Sequence, residues 1–277
     1  MRFESKRAAD TCDLMRHQRP SLNLEMLKFE NKPTLVAMKS HKTRVLLVFV
    51  ATLEAVLPVI AMAQTPPHRP EDTIAERTRA CTACHGKEGR ATSEGFFPRI
   101  AGKPEGYLFN QMVNFRDGRR QNTSMIYMVQ HMSDPYLHEV AQYFSSLDLP
   151  YSAPPPGVVP AEMMTLGEAL VLHGEPARKI PACVRCHGAS LTGVAPAMPG
   201  LLGLPRDYVI GQFGAWRSGQ RKTPAPDCMA QIAQRLAPNE VGAVAAWLAS
   251  QKLPTVSKPA VNIDLPLPME CGSGLKP

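Results

Sequence analysis

Cys81-Thr82-Ala83-Cys84-His85 decides the reading of this chain, because the same pattern returns as Cys183-Val184-Arg185-Cys186-His187. Two cysteines three apart, followed at once by histidine, are what covalent haem attachment requires. Two thiols add across the two vinyl groups of one porphyrin, and the adjacent imidazole then sits under the ring and binds iron. With 7 Cys and 8 His in 277 residues, random placement gives about 0.005 such patterns per chain. Two occur, so coincidence is a poor account.

Other uses of the pattern fit less well. A zinc site wants a second Cys or His pair at ligand spacing within one small module, and no cysteine follows Cys84 up to residue 149. A thioredoxin-like dithiol wants a strand and helix in a βαβ unit, whereas the flanks here read as helices and loops.

Around each motif lies one copy of an internal repeat. Phe97-Pro98-Arg99-Ile100-Ala101-Gly102-Lys103-Pro104-Glu105-Gly106-Tyr107 answers to Met198-Pro199-Gly200-Leu201-Leu202-Gly203-Leu204-Pro205-Arg206-Asp207-Tyr208. The match continues through Gln111 with Gln212, Phe115 with Trp216, Gly118 with Gly219 and Arg120 with Arg221. Two similar halves of this size indicate duplication, since a solenoid needs three or more units. Each half reads as helical. A first helix leads into the motif, over Asp72–Arg79 in one copy and Thr165–His173 in the other. A middle helix opens at Pro104 or Pro205 and stops at Gly118 or Gly219. Its apolar face is Leu108, Met112 and Phe115, echoed by Val209, Phe213 and Trp216. A last helix buries Leu137, Val140, Ala141 and Phe144, echoed by Val241, Val244, Ala245 and Leu248. Modules of under 100 residues bury little apolar surface alone, so a porphyrin inserted among the helices supplies much of each core, and the haem-free chain is expected to be unstable.

A low-spin electron-transfer haem takes a second axial ligand, commonly methionine, which raises the potential relative to histidine. Module one offers Met112, Met125, Met128, Met132 and His131. Laid over module two, Met128 faces Ile232, Met132 faces Leu236 and His131 faces Arg235, while Met125 faces Met229. Met112 lies on the apolar face of the middle helix and reads as core. Met198, the competitor in module two, occupies the place of Phe97. The axial pairs expected are therefore His85/Met125 and His187/Met229. The carbonyls of Pro98 and Pro199 either accept the Nδ1–H of the haem histidines or belong to prolines that merely shape the loop. Arg99, Arg120, Arg221 and Lys222 are the residues to hold propionates, unless they are ordinary solvated surface.

The remaining chain bounds location and partners. The net charge of +7 is uneven: residues 1–63 carry +4 of it, leaving +3 for residues 64–277, too little and too dispersed for nucleic acid. Met38 to Arg44 is a positive n-region, Val45 to Ala61 is mostly apolar, and Ala61-Met62-Ala63 is an A-x-A cleavage site. This predicts a doubtful extension over 1–37, a cleaved signal peptide over 38–63 and a mature protein from Gln64. Domain one is expected over 64–149, a Pro-rich linker over 150–164, domain two over 165–251 and a Pro-rich tail over 252–277, either an extended strap or a disordered end. Cys228 and Cys271 either pair or stand free, since connectivity is not readable from sequence.

The residues resemble the di-haem cytochrome c4 family. The resemblance is carried by Cys-Thr-Ala-Cys-His-Gly86, Phe-Pro-Arg-Ile-Ala-Gly102, Tyr107 with Gln111, Arg116-Asp-Gly-Arg-Arg120 and Met125 ahead of Met132-Ser-Asp134, and again by Cys-Val-Arg-Cys-His-Gly188, Gly203, Tyr208 with Gln212, Arg217-Ser-Gly-Gln-Arg221 and Met229. It covers about residues 72–250. It implies an all-α fold of two tandem class I cytochrome c domains, each a few helices around one covalently bound haem c. It implies a periplasmic electron carrier, not an enzyme, with its haems near the domain interface. The partners implied are redox proteins: a quinol–cytochrome c reductase-type complex or a dehydrogenase as donor and a terminal oxidase as acceptor, with association at a membrane surface. Similar modules also occur as cytochrome subunits of periplasmic dehydrogenases such as alcohol dehydrogenase. A di-haem peroxidase is a further reading, but it needs an open iron position.

Overall fold

Thr73 and the residues after it set the entry to the first haem motif. The Thr73 side chain accepts the amide N–H of Glu76 at 3.3 Å and starts α1, Ile74–Arg77, satisfying a donor that the first helical turn leaves free. Thr78 turns its hydroxyl back on the carbonyls of Ile74 and Ala75 and breaks the helix. α2, Arg79–His85, follows at once and stops at Gly86, where φ is 76°. The computed structural model describes residues 71–92, 96–151, 158–261 and 266–273. The expected extension, n-region, apolar run and cleavage site lie outside the described residues.

Module one continues with α3, Glu105–Arg116, α4, Thr123–Val129, and α5, Asp134–Ser146. Pro104 caps α3 and its fixed φ suits that place; Gly118, at φ 74°, carries the chain out of it. Leu108, Val140, Ala141 and Phe144 form one small core cluster, and Phe115, Val129 and Leu137 another.

Module two repeats the plan: α6, Ala161–Leu172, α7, Val184–His187, α8, Arg206–Arg217, α9, Cys228–Arg235, and α10, Pro238–Ser250. Its core is a single cluster of fifteen buried residues, including Leu170, Val171, Phe213, Val244 and Leu248. α6 lies against α10 so closely that a Cβ on Gly167 would sit 2.3 Å from the Ala243 carbonyl oxygen.

Three details differ from the sequence pattern. α6 begins at Ala161, ahead of Thr165 and inside the stretch assigned to the linker, because Pro160 caps it. Two short antiparallel hairpins appear in module two, β1 (Gly174–Glu175) with β2 (Ile180–Pro181) and β3 (Gly193–Val194) with β4 (Met198–Pro199). The segments that carry the expected methionine ligands are helical: Asn122 and Asp227 cap α4 and α9 by accepting the amide N–H groups of Met125 and Ala230, each at 3.0 Å.

Both modules belong to one compact unit. Arg120 and Arg221 meet in an antiparallel bridge, flanked by Gln121 N–H to Gln220 O and Lys222 N–H to Arg119 O, both 2.7 Å. The tail is a strap. Ser257 donates to Asp148 at 2.8 Å and Lys258 reaches the carbonyls of Ser145 and Ser146, which ties it to module one. Ala260 then pairs with Val194 of module two, and Cys271 ends in a disulfide with Cys228. Among the described residues no helix is long and apolar enough to cross a membrane.

Candidate functional site

α2 and α7 bring the motif residues together by helical spacing alone: cysteines at i and i+3 share a face, and the histidine next to the second closes the helix. Cys81, Cys84, Cys183 and Cys186 are free thiols, while the other two described cysteines are joined to each other. Burial raises the Cys81 thiol and pushes Cys183 up to about 12. That is the opposite of the depressed thiol a dithiol redox catalyst uses. Among the described residues no three His, Cys, Asp or Glu converge as ligands for a bare metal ion.

The two motif histidines are buried and held in one orientation, as iron ligands would need to be. His85 and His187 are 8% and 7% exposed. Their Nδ1 atoms lie 2.8 Å from the Pro98 carbonyl oxygen and 2.7 Å from that of Pro199. An Nδ1–H donated there leaves the Nε2 lone pair free and fixes the ring. Burial holds both imidazoles below their ordinary pKa against the opposing pull of those carbonyls, with Arg120 adding to the effect at His85 and Lys103 at His187. Each ring is thus kept neutral, the form that binds iron.

One continuous cavity of about 640 Å³ runs through both modules. Its walls include Cys81, Cys84, His85 and Met125 of module one and Cys183, Cys186, His187 and Met229 of module two. Met112, Met128 and Met132 line it too. Met125 stands in the first turn of α4 and Met229 in the first turn of α9, corresponding places in the two modules. Met198 is buried in β4 directly before Pro199, so it stands on the side of the cavity that holds His187.

The walls also fit the charge of a porphyrin. Lys103, Arg120 and Arg221 are buried cations on the cavity, and none forms an ion pair with a carboxylate among the described residues. Trp216 Nε1 and Arg221 Nε are buried donors without a partner on the same walls. Lys103 Nζ donates to the Gly200 carbonyl at 2.6 Å, and burial, with Arg99 nearby, brings its ammonium down to about 7 in the bare polypeptide. Uncompensated cations and orphaned N–H groups are what anionic propionates would satisfy.

The residues assigned to propionates from sequence divide. Only Lys222 is exposed. Arg99 is buried and spends its guanidinium on the carbonyls of Ala101, Leu149 and Pro150. Arg120 and Arg221 are buried between the modules. Arg120 donates to Gln111 (2.8 Å), Gln212 (2.7 Å) and Tyr208 (3.2 Å), and Arg221 to Gln212 (2.8 Å), Gln111 (3.1 Å) and Tyr107 (3.5 Å). Each guanidinium also lies over the aromatic ring of its own module, Phe115 at 4.5 Å and Trp216 at 3.9 Å. Lys103 has no counterpart, because Leu204 takes its place in the repeat; no local pattern marked it.

No family model matches the chain. A protein of Thiomonas intermedia (strain K12) named "Thiosulfate dehydrogenase electron acceptor" is 39% identical over 185 residues, 65% of this chain and 83% of that protein. "Cytochrome c4" of Pseudomonas aeruginosa is 33% identical over 185 residues, 65% of this chain and 89% of that protein. Among solved structures, thiosulfate dehydrogenase (TsdBA) from Marichromatium purpuratum matches with a TM-score of 0.58 at 32% identity; the match covers 66% of this chain and only 39% of that one. Reduced cytochrome c4 from Pseudomonas stutzeri matches with a TM-score of 0.56 at 27% identity, over 65% of this chain and 97% of that one. Paired haem motifs, a duplicated helical module and these relatives together place the chain in the di-haem cytochrome c4 family, whose members carry two covalently attached haem c groups as electron-transfer cytochromes.

Proposed function

We propose that this protein is a periplasmic electron carrier, matured by cleavage of its signal peptide, that accepts electrons from a dehydrogenase of the thiosulfate-oxidising kind. Relatives at 39% and 36% identity both bear the name "Thiosulfate dehydrogenase electron acceptor"; this observation carries the choice of donor. The Cys228–Cys271 disulfide supports an oxidising compartment.

In this reading Cys81 with Cys84 and Cys183 with Cys186 would form the thioether links, His85 and Met125 would bind one iron, and His187 and Met229 would bind the other. Haem iron bound in this way supplies one-electron exchange between its ferrous and ferric states. The polypeptide supplies everything that keeps the exchange fast. Pro98 and Pro199 hold the histidine tautomers, apolar walls would keep water from the metal, and a histidine with a methionine ligand would leave little to rearrange. Lys103, Arg221 and Trp216 offer donors to the propionates. No acid–base constellation is needed, and saturated iron is the feature that separates a carrier from a peroxidase.

Mixing the oxidised holoprotein with a thiosulfate dehydrogenase and thiosulfate in a stopped-flow instrument tests the donor. Reduction of both haems within the enzyme's turnover time is expected. An inert holoprotein that a quinol–cytochrome c reductase reduces instead would overturn the choice.

A further inference from the structure

The described end of the strap, Pro266–Ser273, lies against the haem motif and the α9 start of module two. Pro266 accepts a hydrogen bond from Arg185 at 3.4 Å, and Arg185 stands between Cys183 and Cys186, on the histidine side of module two. Five residues later Cys271 is bonded to Cys228, the residue before Met229. Gly272 N–H donates to the Pro226 carbonyl at 2.9 Å. A Cβ on Gly272 would lie 2.3 Å from the Ala225 carbonyl oxygen and 2.4 Å from that of Pro224, so the strap lies directly on the loop before α9. Between the two anchorages, Met269 joins Cys271 and Ser273 in the cavity wall.

Among the described residues module one has no matching segment. Ala83 stands where Arg185 stands, and Ser124, which is exposed, stands where Cys228 stands. Cys84 is exposed while Cys186 is partly covered. On the same helix as Met125, Tyr127 is 74% exposed.

We propose that Pro266–Ser273, fastened by the Cys228–Cys271 disulfide, is a cover over the module-two haem edge, which leaves module one as the face where partners exchange electrons. The inference rests on the assignment of His187 and Met229 to opposite faces of that haem. Met269 shields the edge, and the disulfide holds the first turn of α9 with its methionine.

Ligand exchange tests it. Imidazole added to the ferric holoprotein displaces methionine, followed by loss of the methionine-to-iron charge-transfer band. Two phases are expected in the unaltered protein, and Met125→Ala identifies the slow one as module two by leaving it alone. Cys271→Ser and Met269→Ala should each speed the slow phase about tenfold and spare the fast one. Met269→Ala keeps the disulfide, so its effect is not one of misfolding. Equal rates at both haems in the unaltered protein, or a slow phase unmoved by both variants, would overturn the cover. Carbon monoxide binding to the ferrous protein repeats the comparison without relying on methionine. Absent charge-transfer bands would discard the Met229 assignment, whereas carbon monoxide rates unchanged by both variants would discard the cover itself.

Discussion

Arg120 and Arg221 pair main chain to main chain, and each guanidinium is bonded to glutamine side chains of both modules. Two buried cations stand close together here because Gln111 and Gln212 each accept from both, and Phe115 and Trp216 lie beneath them. The arrangement is a joint: neither arginine has a full set of partners without the other module. Replacing either by methionine leaves buried glutamine oxygens and a tyrosine hydroxyl short of a donor, at about 2–3 kcal/mol. The double variant should cost more than the sum, because each single variant also relieves the repulsion between the two cations and leaves each glutamine one remaining donor. Thermal denaturation of the four holoproteins closes the cycle; strict additivity would contradict a shared network.

The ligand assignment makes a spectroscopic prediction. Met125→Ala and Met229→Ala should each remove one of two methionine-to-iron charge-transfer bands and lower the potential of one haem. A variant that keeps both bands points to another methionine, with Met128 or Met132 next in line for module one.

Much of this site could be read from the chain because its chemistry is local. The motif cysteines and their histidine span five residues and line one cavity in each module, and the repeat sets Met125 opposite Met229, an assignment that the ligand variants above test. Pro104, Pro205, Gly118 and Gly219 punctuate the middle helices where they should. The joint was hidden because Arg120 and Gln212 meet only across modules. Lys103 was hidden for the same reason: its sequence neighbours give no sign that its ammonium ends on Gly200. Disulfide connectivity is equally non-local. The short helices α4 and α9 did leave a signal in their caps, Asn122 and Asp227, but few apolar positions follow to set a period.

Haem removal should affect the halves unequally. Module one divides its clustered buried apolar residues into groups of four and three, whereas module two keeps fifteen in one cluster. Polypeptide made without haem attachment is expected to lack a cooperative native melt. Any residual amide protection in hydrogen exchange should fall in α6 and α10. Protection concentrated in α3 and α5 would contradict this.

Acid should weaken the start of α10 before it disturbs the haems. The Arg178 guanidinium, with the Ala237 amide N–H at 2.6 Å, holds the Glu240 carboxyl below its ordinary value of 4.5. A group depressed in the folded state adds stability above its unfolded pKa and loses it as pH falls through the folded one. Glu240→Gln should therefore cost about 0.5 kcal/mol at pH 7. The gap in melting temperature from the parent should close progressively below pH 4.5; a gap of constant size would exclude the carboxylate as its source.

Lys103 carries a consequence for the history of the chain. Its ammonium belongs to the first copy and ends inside the loop of the second, where the second copy has only Leu204 to offer in return. Halves that once were interchangeable have become complementary. A fusion of two second halves would carry leucine at both places and leave this loop carbonyl without its lysine donor, so the two halves are no longer equivalent where they meet.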